Sequence, residues 1–225
     1  MSIRTATIVF VALLSLVGGC TQIKEVGQKV TESGRNILDV LTQAPRKSAI
    51  KTTDQYFPDE RREGINELVN RGYGRQPPYT DRYASLAQND KDYLVRATAI
   101  RALNRSRDAK AIPIYINALN DESDLVRLEG AKALIHMPDD KAIPGLVKLV
   151  TNPNENRDVR IAAADALKYY RNTEVARALI SQLGGREFGI AWQAHQSLVR
   201  LTGKDLRYDE GAWLTYVANP DKPFG

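Results

Sequence analysis

Apolar and polar positions alternate along this chain at the spacing of amphipathic helices, and the same helical text returns several times. Around the middle of the chain, Val126, Gly130, Ala133 and Leu134 fall on one apolar stripe, and Leu128, Ala131 and Ile135 fall on another. A helix with two stripes needs cover on two sides. The pattern therefore predicts one stripe packed on the second helix of the same unit and the other on the next unit. That second helix places Ile143, Leu146, Val147 and Val150 at i, i+3, i+4 and i+7, a spacing repeated by Ile112, Tyr115, Ile116 and Leu119 and by Ala176, Leu179, Ile180 and Leu183. The spacing predicts a core face on these second helices and a free face opposite.

The unit repeats at a nearly fixed period. Leu103, Leu134, Leu167 and Leu198 close equivalent first helices 31, 33 and 31 residues apart by subtraction, which marks stacked helix pairs. Pro113 and Pro144 stand early in second helices, where a missing N–H costs little. Ala99, Gly130, Ala163 and Ala194 share one small-residue place that lets helices approach closely. The aspartates Asp92, Asp124 and Asp158 stand near first-helix starts, suited to unpaired N–H groups there.

These residues carry a resemblance. The text D-x-x-VR-x-x-A-x-x-AL followed by D-x-x-AIP-x-L resembles the short HEAT-like repeat of bacterial proteins, related to the repeat of phycobilin lyases, over roughly Pro58 to Asn219. The implied fold is all-α, a right-handed α-solenoid of about five helix pairs. The tryptophan-containing tetratricopeptide signature and the Thr-Pro-Leu-His of ankyrin repeats are both absent. By the same resemblance Arg96, Arg127 and Arg160, which recur at one place, are expected to form a structural ladder with acidic or carbonyl groups of neighbouring units.

Both ends of the array depart from the pattern. Arg61 to Leu68 aligns with Arg127 to Leu134, with Tyr79, Tyr83 and Leu86 on the following helix, and Arg71 to Pro78 is a long Gly/Pro connection between them. Arg62 stands where Ala97, Leu128 and Ile161 stand later, which suits a capping unit. In the last unit Trp192 and His195 take apolar-stripe positions and Ala191 replaces the recurrent arginine. Trp213 and Tyr216 lie on a final helix, where they are expected to close the end of the core.

The N-terminus reads differently. Arg4 precedes the apolar run Ile8 to Val17, which is too short to span a bilayer, and Val17-Gly18-Gly19-Cys20 follows. This resembles a bacterial lipoprotein signal, so 1–19 is expected to be a signal peptide and Cys20 the lipidation site; Thr21 then points to the periplasmic face of the outer membrane. Residues 20–57 are expected to be a tether, 58–219 the repeat domain and 220–225 a tail. Cys20 is the sole cysteine of 225 residues, which excludes intramolecular disulfides and multi-cysteine metal sites.

Charge changes the picture little. The net charge is +5, but from Pro58 onward 25 Lys and Arg stand against 23 Asp and Glu, without the basic-aromatic footprint of nucleic-acid binding. His136 and His195 fall on different units, no H-E-x-x-H pattern or phosphate-binding glycine loop is present, and no nucleophile-base arrangement can be found. No catalytic residue, metal or cofactor is therefore expected. The expected function is a non-enzymatic envelope-anchored scaffold whose partner is another envelope protein, with Ile114, Asn117, Gly145, Lys148, Ala178 and Ser181 on the free second-helix face. The alternative is an enzyme accessory or lyase-like protein that binds a ligand.

Overall fold

The computed structural model describes residues 45–219, so the expectations for the signal peptide, Cys20 and the tail 220–225 lie outside the described residues. The chain divides into two compact units, Met1–Lys47 and Ser48–Gly225; the second is the repeat array. The α-helices of the described residues are α1 (45–51), α2 (Pro58–Val69), α3 (Tyr79–Asn89), α4 (Tyr93–Ser106), α5 (Ile112–Ala118), α6 (Asp124–His136), α7 (Ile143–Thr151), α8 (Arg157–Leu167), α9 (Thr173–Ile180), α10 (Phe188–Thr202) and α11 (Glu210–Ala218). No strand occurs among the described residues. The fold is an α-solenoid.

The first helices α2, α4, α6, α8 and α10 stack side by side in one layer, and the second helices flank them. Each second helix packs closely on the first helix of the following unit, α3 on α4, α5 on α6, α7 on α8 and α9 on α10. Second helices also touch one another, α3 with α5, α7 with α9 and α9 with α11. Each second helix thus packs mainly on the first helix of the next unit and not on that of its own, contrary to the expectation from the stripes.

Helix starts follow local chemistry. The Asp92 carboxylate accepts the N–H groups of Leu94 and Val95 at 2.9 and 3.1 Å, and Asn156 accepts that of Asp158 at 2.9 Å; Asp124 and Asp158 themselves lie in first turns. Short 3-10 turns, Ala109–Ala111 and Asp140–Ala142, lead into α5 and α7, and each is capped by an aspartate, Asp108 or Asp139. The prolines follow at N1 or N2. Both predicted stripes of α6 are covered: Val126, Gly130, Ala131, Ala133 and Leu134 are buried, Leu128 and Ile135 half-buried. Ala99, Ala163 and Ala194 are fully buried. A Cβ on Gly130 would lie 2.9 Å from the Ala118 Cβ, so α5 sits against α6 with no room for a side chain.

The array begins at Ser48, earlier than the Pro58 boundary that the repeat text implied. Ser48 and Thr52 are buried, Lys51 Nζ pairs with Glu63 and Glu67 at 2.8 and 2.9 Å, and the Ser48 carbonyl lies over Gly64 of α2. Residues 48–57 therefore belong to the capping unit and not to the tether. At the other end Trp213 is fully buried and its indole N–H donates to the Arg207 carbonyl at 2.8 Å, while Trp192 remains half exposed.

Candidate interaction surface

One polar feature crosses every boundary on the edge where second helices lead into first helices. Arg61 donates from Nε and Nη2 to the two carboxylate oxygens of Asp90 at 2.7 and 2.8 Å, and from Nη1 to the Asp54 carbonyl at 2.9 Å. Arg96 repeats this with Asp121 at 2.9 and 2.8 Å, and its Nη1 reaches the Asp90 carbonyl at 3.0 Å. Arg127 grips Glu155 at 2.7 Å and the carbonyls of Asp121 and Glu122 at 2.8 and 2.9 Å. Arg160 reaches Glu187 and Gln182, both at 2.9 Å, and the Val150 carbonyl at 3.3 Å. Arg61, Arg96 and Arg127 each tie the connection before their helix to the connection at the end of their unit, and Arg160 ties the last turn of α7 to the stretch after α9.

The acceptors also order the chain locally. Asp90 accepts the Asp92 N–H and Asp121 the Ser123 N–H, both at 2.9 Å, so one carboxylate bonds an arginine and starts a helix. Burial pushes the Asp121 carboxyl up, but the Arg96 fork, the Ser123 N–H and the Arg127 charge together hold it below the usual carboxylate range. Arg61 belongs to this ladder although only Arg96, Arg127 and Arg160 were expected there. The missed acceptors carried a faint signal, since Asp90 and Asp121 each stand six residues before the next recurrent arginine. Glu155 broke that register with a longer connection.

A second cross-unit line runs between first helices. Arg101 pairs with buried Glu129 at 2.8 Å, and Gln193 donates to Asp165 at 2.8 Å. Neither was foreseen, because neither acid recurs at the equivalent place of another unit.

The second-helix face differs from the expectation at three positions. Ile114 and Ala178 are buried and Gly145 is half-buried. The cause is lateral packing between second helices: the Leu119 side chain lies against Gly145, where a Cβ would meet its Cδ1 at 2.8 Å. Asn117 on α5, Lys148 on α7 and Ser181 at the C-cap of α9 are exposed at equivalent places, and Ser85 extends the row on α3.

The histidines stay apart. His136 is exposed; His195 is buried, bonds Asp205 at 2.8 Å and stacks at 4.9 Å on Tyr208. The His195 hydrogen bond, with the Arg207 N–H, holds the Asp205 carboxyl low. Among the described residues no group of three or more His, Cys, Asp or Glu could hold a metal ion, and no helix is long and apolar enough to cross a membrane.

Residues 80–168 match the HEAT repeats family. The fold is similar to the X-ray structure of YibA from Escherichia coli, with a TM-score of 0.59 and 24% identity over 70% of this chain and 59% of that one. An engineered protein is similar at a TM-score of 0.54 and 18% identity, over 79% of this chain and 90% of its own. Human deoxyhypusine hydroxylase in complex with glycerol gives a TM-score of 0.47 and 16% identity, over 71% and 74%. No curated protein matches the chain. The likeness to YibA and to the engineered protein concerns the fold.

Proposed function

We propose that the protein is a non-enzymatic interaction scaffold, held in the bacterial cell envelope by lipid on Cys20 and presenting its second-helix face to another envelope protein. The observation that supports this is the row Asn117, Lys148 and Ser181, exposed at equivalent places of three successive units on a stack whose unit boundaries are pinned by arginine side chains. Such a row offers a partner polar groups at a fixed spacing, so that little ordering remains to be done on binding. Neither nucleic acid nor a cofactor has a part in this reading.

The test is in-cell crosslinking and affinity purification of the tagged protein, wild type against Asn117→Arg/Lys148→Glu. Both side chains are exposed, so the stack should keep its stability to within about 0.5 kcal/mol. Loss of a partner that the wild type retains supports the scaffold reading, and an unchanged partner set rejects this face. A small ligand or chromophore copurifying in stoichiometric amount would instead favour a ligand-binding role.

A further inference from the structure

The outer face of α10 lies at the end of the first-helix layer, where no further first helix follows among the described residues. In the preceding unit the same face meets the next helix: a Cβ on Gly189 of α10 would lie 3.0 Å from the Arg157 Nη2 and 3.4 Å from the Ile161 Cδ1 of α8. By the 31-residue step from Leu167 to Leu198, Arg157 and Ile161 become Phe188 and Trp192, and these are 71% and 47% exposed. The connection after α10 turns back over only part of the face. Its Asp205 bonds His195 at 2.8 Å and its Tyr208 stacks on the same ring at 4.9 Å, while Tyr208 itself stays 42% exposed. A cavity of about 310 Å³ opens here, lined by Phe188 and Tyr208, by buried Leu183 and Ala191, and by Gly185. Arg186 is the one charged residue of its lining, and the guanidinium has no hydrogen bond or ion pair among the described residues.

We propose that this cavity binds a small aromatic acid, its ring against Phe188 and Tyr208 and its carboxylate on Arg186. Size sets the class of occupant. Three aromatic side chains offer about 150–250 Å² each even when wholly exposed, short of the roughly 800 Å² per partner of a stable protein interface. The cavity instead falls at the small end of the roughly 300–1,000 Å³ that small ligands take. Flat rings stack or meet edge-on at about 4.5–7 Å between centroids, and Tyr208 already holds His195 in that way. Charge sets the rest. The planar Arg186 guanidinium matches a carboxylate through two parallel hydrogen bonds, and its neighbour Glu187 is already engaged by Arg160 at 2.9 Å. Apolar walls with a single unpaired cation suit a ligand that is apolar over most of its surface and carries one negative charge. This site is separate from the second-helix face and does not rest on a partner docking there.

The test is NMR on the full ¹⁵N-labelled chain, titrated in parallel with sodium phenylacetate, with sodium acetate, which lacks the ring, and with N-acetylphenylalanine amide, which lacks the charge. Phenylacetate should shift the Gly185, Arg186 and Phe188 amides saturably, and the other two compounds should bind at least about tenfold more weakly. Arg186→Gln should weaken phenylacetate about tenfold and leave the uncharged amide unchanged, whereas Phe188→Ala should weaken both. Both side chains are exposed, so the variants should keep the wild-type spectrum away from the cavity. No saturable shift with phenylacetate, equally tight binding of acetate, or an undiminished response in Arg186→Gln would overturn the assignment. Equally tight binding of the uncharged amide would overturn it too, and would give the cavity to an aromatic side chain of a protein partner.

Discussion

Arg96 and Asp121 are joined by two parallel hydrogen bonds, Nε to Oδ2 at 2.9 Å and Nη2 to Oδ1 at 2.8 Å, across a separation of 25 residues. Their side chains are 9% and 15% exposed, so the pair is largely out of water and neither member can be rehydrated cheaply if the other is lost. Asp121→Ala should destabilise the array by about 3–5 kcal/mol, the range for breaking a buried pair from one side. Urea unfolding followed by circular dichroism measures this, and a loss under about 1 kcal/mol would mean that the fork is solvated.

The same pair makes the array sensitive to acid. The Asp121, Glu67 and Asp205 carboxyls are all held below their ordinary values, Glu67 by the Ser48 hydroxyl and Lys51. A group whose folded pKa is depressed contributes stability above its unfolded pKa and loses it as pH falls through the folded value. Stability should therefore be nearly flat from about pH 7 to 5 and fall below about pH 4, the range of unperturbed carboxyls. Asp121→Asn should flatten that fall. The check is the urea midpoint as a function of pH for both proteins.

Gly130 tests how tightly the two layers meet. A Cβ there would lie 2.9 Å from the Ala118 Cβ and 3.1 Å from the Tyr115 carbonyl oxygen, and the oxygen belongs to backbone that cannot swing aside. Gly130→Val should cost about 1–3 kcal/mol by overpacking, even though valine is no worse than glycine inside a helix. A melting temperature unchanged from wild type would show that α5 can shift away from α6.

How far the sequence could be read depends on how many neighbours each residue answers to. The stripe Val126, Gly130 and Leu134 was legible because a 3.6-residue period alone sets its direction, and all three are buried. Ile114 and Ala178 were misplaced because helix phase was read against one partner, whereas each second helix also has a lateral neighbour. The ladder donors could be seen because they recur, but their acceptors shift with connection length, from Asp121 to Glu155 to Glu187.

The anchor is tested apart from the fold. If Cys20 is acylated, two or three chains at about 0.8 kcal/mol per buried CH₂ hold the protein on the membrane. Cys20→Ala should move it to the soluble fraction or leave it unprocessed. Mass spectrometry of the wild-type N-terminus decides the matter: an unmodified Met1 on a soluble protein rejects lipidation.

The two tryptophans of the last unit offer opposite expectations from the same residue type. Trp213 on α11 is fully buried, its indole N–H bonds the Arg207 carbonyl at 2.8 Å, and it meets Tyr216 edge-on at 6.4 Å between ring centroids. Trp213→Ala therefore leaves both a cavity and an unpaired carbonyl, and should cost about 3–5 kcal/mol. Trp192 on α10 is 47% exposed and bounds no closed core, so Trp192→Ala should fall within about 0.5 kcal/mol of wild type. Deleting Gly203 to Gly225 should resemble the Trp213 variant and aggregate, because it uncovers α9 and the end of α10, whereas deleting 21–44 removes none of the array that begins at Ser48. Thermal unfolding of the four proteins ranks them, and equal losses for Trp192→Ala and Trp213→Ala would mean that the array is closed by the outer face of α10 and not by α11.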